Sequence, residues 1–196
     1  MNTLPITPSQ TVGPFFAYGL TARQYGYDYT SLMDGMLIEP RESQGKIIYI
    51  TGCIFDGNGN SVSDAIVELW QADAQGQYAA EPIAYPPDHS IFTGFGRFGT
   101  GTTANHEFFF TTFKPGLTAE DAAPHINVIL FMRGSLRTLY TRLYFSDEPE
   151  ANERDTFLNS IEPDRRNTLL AAKRTDGHYQ FDIRLQGSDE TVFFDL

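Results

Sequence analysis

Apolar and polar positions alternate along much of this chain with a period of two, the period at which a strand turns successive side chains to opposite faces. Leu139, Thr141 and Leu143 stand against Tyr140, Arg142 and Tyr144, which predicts a strand over 138–145. Isoleucine and tyrosine fill the run from Lys46 to Phe55, the turn cluster Asp56-Gly57-Asn58-Gly59-Asn60 follows, and Ala65 to Ala72 resumes, so these two runs are expected to form a hairpin or neighbouring strands. Glu107 to Phe113 and His125 to Arg133 read as strands separated by a Lys114-Pro115-Gly116 turn, and His178 to Leu185 and Thr191 to Asp195 close the chain. Helical signals come late. Pro149 to Leu158 carries acids in its first turn, and Pro163 to Ala172 has proline at a first helical position.

The stretch from Ala79 to Thr103, rich in proline and glycine, reads as a long irregular section of the kind that carries function or meets a partner. Seven or eight short strands with helices only as decoration predict an all-β fold, a β-sandwich with short peripheral helices. Residues 1–20 show neither period. Thr7 to Pro14 reads as an extended arm, because proline fixes φ and removes a donor, and Phe15, Phe16 and Tyr18 are expected to pin it to the body. With residues 21–44 irregular, the expected organisation is an N-terminal arm and irregular segment over 1–44 and a sandwich domain over 45–196.

Composition narrows the partners. At 196 residues, with 41% hydrophobic and 20% charged, the chain suits one folded domain. A net charge of -11 argues against nucleic acid, whose backbone is gripped by clustered Lys and Arg. It also repels small anions at long range, so an anion site needs a locally placed cation. The single Cys53 excludes an internal disulfide. Without a leader-like N-terminus or a run of about 18 apolar residues, a soluble, cytoplasmic protein away from membranes is expected.

Four histidines tempt a metal reading, yet His89, His106, His125 and His178 share no ligand spacing. His125 and Asn127 fall on one strand face, where asparagine offers a neutral amide in place of a second imidazole. His125 then reads as a hydrogen-bonded strand-end residue. The glycines of Thr93 to Gly101 lack the strand-to-helix setting of a phosphate loop, and Glu120 and Asp121 read as solvated loop acids. Arg133 closes a nearly all-apolar run. Its planar fork suits a carboxylate, although a strand-end surface arginine is the plainer account.

Leu69-Trp70-Gln71-Ala72 with Gly76 and Tyr78, Phe113-Lys114-Pro115-Gly116, Ala123-Pro124-His125-Ile126 with Val128, and Leu143-Tyr144-Phe145 with Asp147 and Pro149 resemble, in that order, the intradiol ring-cleavage dioxygenases. The arm from Thr7 to Phe15 and the segment from Asn159 to Arg166 look like the iron-free alpha subunits of its two-subunit members. Catalytic members hold ferric iron with two tyrosines and two histidines. Tyr78 and His125 match one of each, whereas Thr118 and Asn127 stand at the other two positions, and Ala122 replaces an arginine beside the substrate. The resemblance thus implies a vestigial metal site at Tyr78, Thr118, His125 and Asn127, with no cofactor or metal bound by this chain and no catalytic residue on it. It implies Fe(III) in a homologous beta subunit, a heterodimer assembling into a larger oligomer, and protocatechuate and O2 as substrates. Arg133, Thr11, Gly13 and Pro14 are then expected to bind substrate in a cavity between the subunits. Two other readings stay open. One is a noncatalytic β-sandwich module binding ligand on the aromatics of Tyr85 to Phe98, and the other an autonomous enzyme with a metal at Tyr78, His125 and His106.

Overall fold

A computed structural model describes residues 8–28, 45–79 and 92–195. The first seven residues of the arm, the tyrosine-bearing segment from residue 29 to 44, and His89 with the aromatic stretch from Tyr85 to Ile91 lie outside the described residues.

The expected sandwich is present, with nine strands among the described residues. They are β1 (Ile47–Phe55), β2 (Ile66–Gln71), β3 (Phe95–Gly99), β4 (Glu107–Phe113), β5 (His125–Phe131), β6 (Leu139–Phe145), β7 (Leu170–Thr175), β8 (His178–Gln180) and β9 (Ile183–Arg184). Pairing runs in the order β3-β2-β5-β6-β7-β8-β1-β4, with β9 added beside β1. Strand β7 joins the two halves, running parallel to β6 on one side and antiparallel to β8 on the other. One face of β2 and β5 (Val67, Leu69, Ile126, Val128, Leu130) and one face of β1 and β4 (Ile48, Ile50, Ile54, Phe108, Phe110) meet in a single sealed core. Each such side chain contributes roughly 1.5–3 kcal/mol on burial. Gln71 carries a polar link between the halves. Fully buried, it donates to the carbonyls of Ala72 and Phe113, each at 3.0 Å, and accepts from Thr112 at 2.8 Å.

Several expectations need correction. The runs either side of the Asp56–Asn60 turn do not pair: β1 joins β4, β8 and β9, whereas β2 lies between β3 and β5, because each finds its apolar partners in a different half of the sandwich. The closing stretch Thr191 to Asp195 makes a single bridge, Phe194 to Tyr140, and no strand. The section from Ala79 to Thr103 is not irregular throughout, because Phe95–Gly99 pairs with β2 as β3. Its Arg97 lies opposite Glu68 and bonds it at 2.6 Å in a shielded ion pair, which holds a glycine-rich strand in place. Phe98 of that segment is buried in the core and therefore offers no ligand surface. The helix expected over Pro163–Ala172 is replaced by a short 3-10 turn (Arg166–Leu169) leading into β7. Hydrogen bonds to β6 and β8 and the burial of Leu169 and Ala171 outweigh the weak local helical preference. Finally, β5 stops at Phe131, short of Arg133.

The helix expected from Pro149 divides into α2 (Pro149–Arg154) and α3 (Thr156–Asn159), broken at Asp155, whose φ of -67 and ψ of 111 are extended. Asp155 is buried. Its carboxylate accepts the N–H of Leu158 at 2.6 Å as the cap of α3, the N–H of Ala123 at 2.7 Å, and the Tyr144 hydroxyl at 3.4 Å. It thereby ties α3 to the loop entering β5. Replacing Asp155 by Ala leaves two buried N–H donors unpaired and should cost about 3 kcal/mol, read as a lowered urea midpoint. A loss under about 0.5 kcal/mol would contradict this role.

Candidate functional site

The two ends of β5 carry the residues singled out from the sequence. At its C-terminal end the chain reverses at Gly134, whose φ of 87 suits glycine. Thr11 secures the arm there. Its hydroxyl accepts the Gly134 N–H at 2.7 Å and donates to the Met132 carbonyl at 3.4 Å, while the Phe16 ring packs 5.5 Å from that of Phe131. The arm occupies these backbone groups, which gives a reason for β5 to end at Phe131. Beyond residues 8–13, the arm winds into α1 (Phe16–Leu20) and a 3-10 turn (Ala22–Tyr25) instead of staying extended. Gln24 fastens this second part, accepting from the Gly99 N–H at 2.9 Å and donating to the Gly99 carbonyl at 2.6 Å.

Between arm and sandwich opens a cleft of about 290 Å³, lined by Gly13, Pro14, Phe16, Tyr25, Asp64 and Arg133 among others. Gly13, Pro14 and Arg133 thus meet in one place, while Thr11 holds the arm beside it. Arg133 is more than half exposed, and its Nη1 lies 3.9 Å from Asp64 Oδ2, a loose ion pair. Burial, followed by the neighbouring Tyr18, pushes the Tyr25 phenol above its ordinary pKa of 10.0, so it is neutral at pH 7.

At the other end of β5, His125 and Asn127 face Tyr144 and Arg142 of β6 in direct register. Asn127 donates to the Tyr78 hydroxyl and to the Trp70 carbonyl, each at 3.2 Å, and accepts from Arg142 Nε at 3.1 Å. The Arg142 guanidinium lies 4.2 Å from the centre of the Phe157 ring. His125 is buried, and its Nδ1 donates to the Ala123 carbonyl at 2.8 Å. Thr118 is exposed. Its backbone N would lie 3.4 Å from a Cβ placed on Gly76, so this turn reaches the loop that carries Tyr78. Burial lowers His125 below its ordinary 6.5, with Arg142 adding to the effect, and burial pushes Tyr144 up to about 12. At neutral pH these two are uncharged beside the arginine.

Two residues here escaped the sequence reading, Arg142 and Asp64. Arg142 was visible in the alternation of β6, but only the register with β5 sets it against Asn127. Asp64 sits in a turn, and nothing along the chain links it to Arg133.

Residues 21–187 match the model of a family described as Dioxygenase. Over the whole of both chains the sequence is 49% identical to the protocatechuate 3,4-dioxygenase alpha chain of Burkholderia cepacia. It is also 32% identical to the beta chain of that enzyme from the same organism, over 76% of this chain and 68% of the relative. The chain belongs to the intradiol dioxygenase family. Among solved structures, the dioxygenase domain of a dioxygenase and carbohydrate-binding protein fusion from Streptomyces sp. SirexAA-E superposes with a TM-score of 0.57 at 26% identity, over 84% of this chain and 88% of that one.

The ferric ion of an intradiol dioxygenase does not fit the residues present. The Tyr78 hydroxyl is engaged by an amide donor, the Asn127 oxygen is taken by Arg142, and the permanent charge of that guanidinium stands beside both. His106 gives no help. It precedes β4 while His125 lies level with the far end of that strand, roughly 20 Å away along seven residues. Among the described residues no three His, Cys, Asp or Glu side chains gather as a metal site.

Two outcomes are expected. Installing the missing ligand types with Thr118→Tyr and Asn127→His should still give protein without stoichiometric iron, because Arg142 remains; iron content and tyrosinate-to-iron colour read this directly. Separately, below pH 6.5 the unfolded chain takes up a proton at His125 that the folded chain resists, so stability falls as pH drops from 6.5 toward the lowered folded value. His125→Gln should flatten that part of the acid slope in urea unfolding between about pH 7 and about pH 5. An unchanged slope would assign it to other groups.

Proposed function

We propose that this chain is the alpha subunit of a protocatechuate 3,4-dioxygenase, working with a homologous iron-bearing beta chain. The complex inserts both atoms of O2 into protocatechuate and opens the ring between the two hydroxyl-bearing carbons, giving 3-carboxy-cis,cis-muconate. The observation that carries this reading is the end-to-end match to an alpha chain, at 49% identity. The additional match to the beta chain of the same enzyme supports pairing with a homologue.

Fe(III), which activates the catechol toward O2, belongs on this reading to the beta chain. This chain contributes a wall and a charge to the cavity between the subunits. Pro14 and Gly13 form the wall, stiffened because proline fixes φ and because Thr11 ties the arm to Gly134. Arg133 supplies the charge, a local cation for the substrate carboxylate in a protein of net charge -11. The division into an arm over 1–44 and a sandwich over 45–196 belongs to the same proposal, as does a cytoplasmic setting. Among the described residues no helix is long and apolar enough to cross a membrane.

Arg133→Ala in the assembled complex should raise the Kd and KM for protocatechuate about tenfold, the equivalent of about 1.4 kcal/mol, with kcat changed less than about twofold. Unchanged binding would remove Arg133 from the substrate site. The chain expressed without its partner should be colourless, and stoichiometric iron there would overturn the division of labour.

A further inference from the structure

We propose that Asp64 is a specificity-setting residue of the cleft, the built-in counter-ion with which a bound carboxylate must share Arg133. This rests on the reading of Arg133 as the carboxylate site. The geometry is the starting point. At 3.9 Å the Asp64 to Arg133 pair is an ion pair beyond hydrogen-bonding length, and both side chains are about half exposed, 45% and 57%. Such a pair keeps the guanidinium near without occupying its donors.

Neither charge is free to wander at its base. Thr100 clamps the backbone on both sides of Asp64: its hydroxyl donates to the Val62 carbonyl at 2.7 Å and accepts the Ala65 N–H at 3.2 Å, and its own N–H donates to the Ala65 carbonyl at 2.9 Å. Thr100 is fully buried, so this clamp is shielded from water. On the opposite side, Thr11 binds the residues flanking Arg133. Among the described residues lining the cleft, Arg133 is the one cation and Asp64 the one anion, with Tyr25 and Tyr18 as phenols. An incoming carboxylate therefore meets a cation that already has an anion fixed beside it.

The consequence follows from the reaction's charge balance. Ring opening between two hydroxyl-bearing carbons converts them to carboxyl groups, so a substrate with one carboxylate leaves as a product with three. A bare arginine would hold that product more strongly than the substrate. Asp64 weakens the grip on both, and most on the more highly charged species. It tunes Arg133 to admit a carboxylated catechol and to release a tricarboxylate.

The test is a double-mutant cycle in the assembled complex, using Asp64→Asn, Arg133→Ala and both together. Asp64→Asn should lower the KM for protocatechuate and the inhibition constant for 3-carboxy-cis,cis-muconate about three- to tenfold, with the larger change for the product. The KM for unsubstituted catechol should stay within about twofold, since it presents no carboxylate. Both gains should vanish in the Arg133→Ala background. If Arg133→Ala weakens protocatechuate binding but Asp64→Asn changes nothing, or changes catechol equally, the role of Asp64 is overturned while that of Arg133 stands. If Arg133→Ala itself leaves binding unchanged, the underlying assignment of the carboxylate site fails, and this inference with it.

Discussion

The register of β5 is the constraint on which the rest depends. Hydrogen-bonded to β2 on one side and β6 on the other, it seals Ile126, Val128 and Leu130 into the core and turns His125, Asn127, Ile129 and Phe131 the other way. A slip of one residue would exchange the two rows and put an imidazole and an amide into a close-packed apolar interior. This strand carries His125 and Asn127 at one end and leads to Arg133 at the other, roughly 25 Å away along eight residues. Substitutions at the first end are thus insulated from the second. A change of side chain at 127 leaves the backbone that places Arg133 as it was.

The two arginines near the ends of this strand illustrate opposite uses of one side chain. Arg142 is held by the Asn127 oxygen and by the face of Phe157. Its planar head satisfies the amide oxygen of Asn127 and stacks on an aromatic face, so the fold itself uses this cation. Among the described residues Arg133 has one loose acidic neighbour, Asp64, and it is exposed. The two arginines differ in how many partners the described fold supplies.

Much of this was legible along the chain, for physical reasons that also mark the limit. Strands β1, β2, β4, β5 and β6 announce themselves because their alternation is strong and their ends carry glycine, proline or asparagine. β3 does not. Phe95-Gly96-Arg97-Phe98-Gly99 has too few side chains to set a period, and its stability comes from Arg97 meeting Glu68 across the sheet. Residues 163–172 carried a local helical signal, but Leu170 and Ala171 pair with Tyr144 and Phe145 of β6 and Ala172 with Gln180 of β8, partners that no local pattern within 163–172 can reveal. The site divides in the same manner. Tyr78, Thr118, His125 and Asn127 could be placed by resemblance to motifs, whereas Arg142 depends on strand register and Asp64 on a loop clamped by Thr100.

The exposure of Arg133 bears on why such a cleft would need a second chain. A guanidinium that is 57% exposed interacts with a carboxylate through water, where a unit charge pair at 4 Å is worth about 1 kcal/mol. The same pair at the effective dielectric of a covered site is worth about 4 kcal/mol before desolvation is counted. A neighbour that closes over Gly13, Pro14 and Arg133 would thus strengthen this contact without touching the arginine. It would equally strengthen the hold of Asp64, so covering the cleft sharpens the contest between the fixed acid and the bound one. On this physical account an exposed cation holds a carboxylate weakly, and its hold grows in proportion to how completely a neighbour excludes water from it.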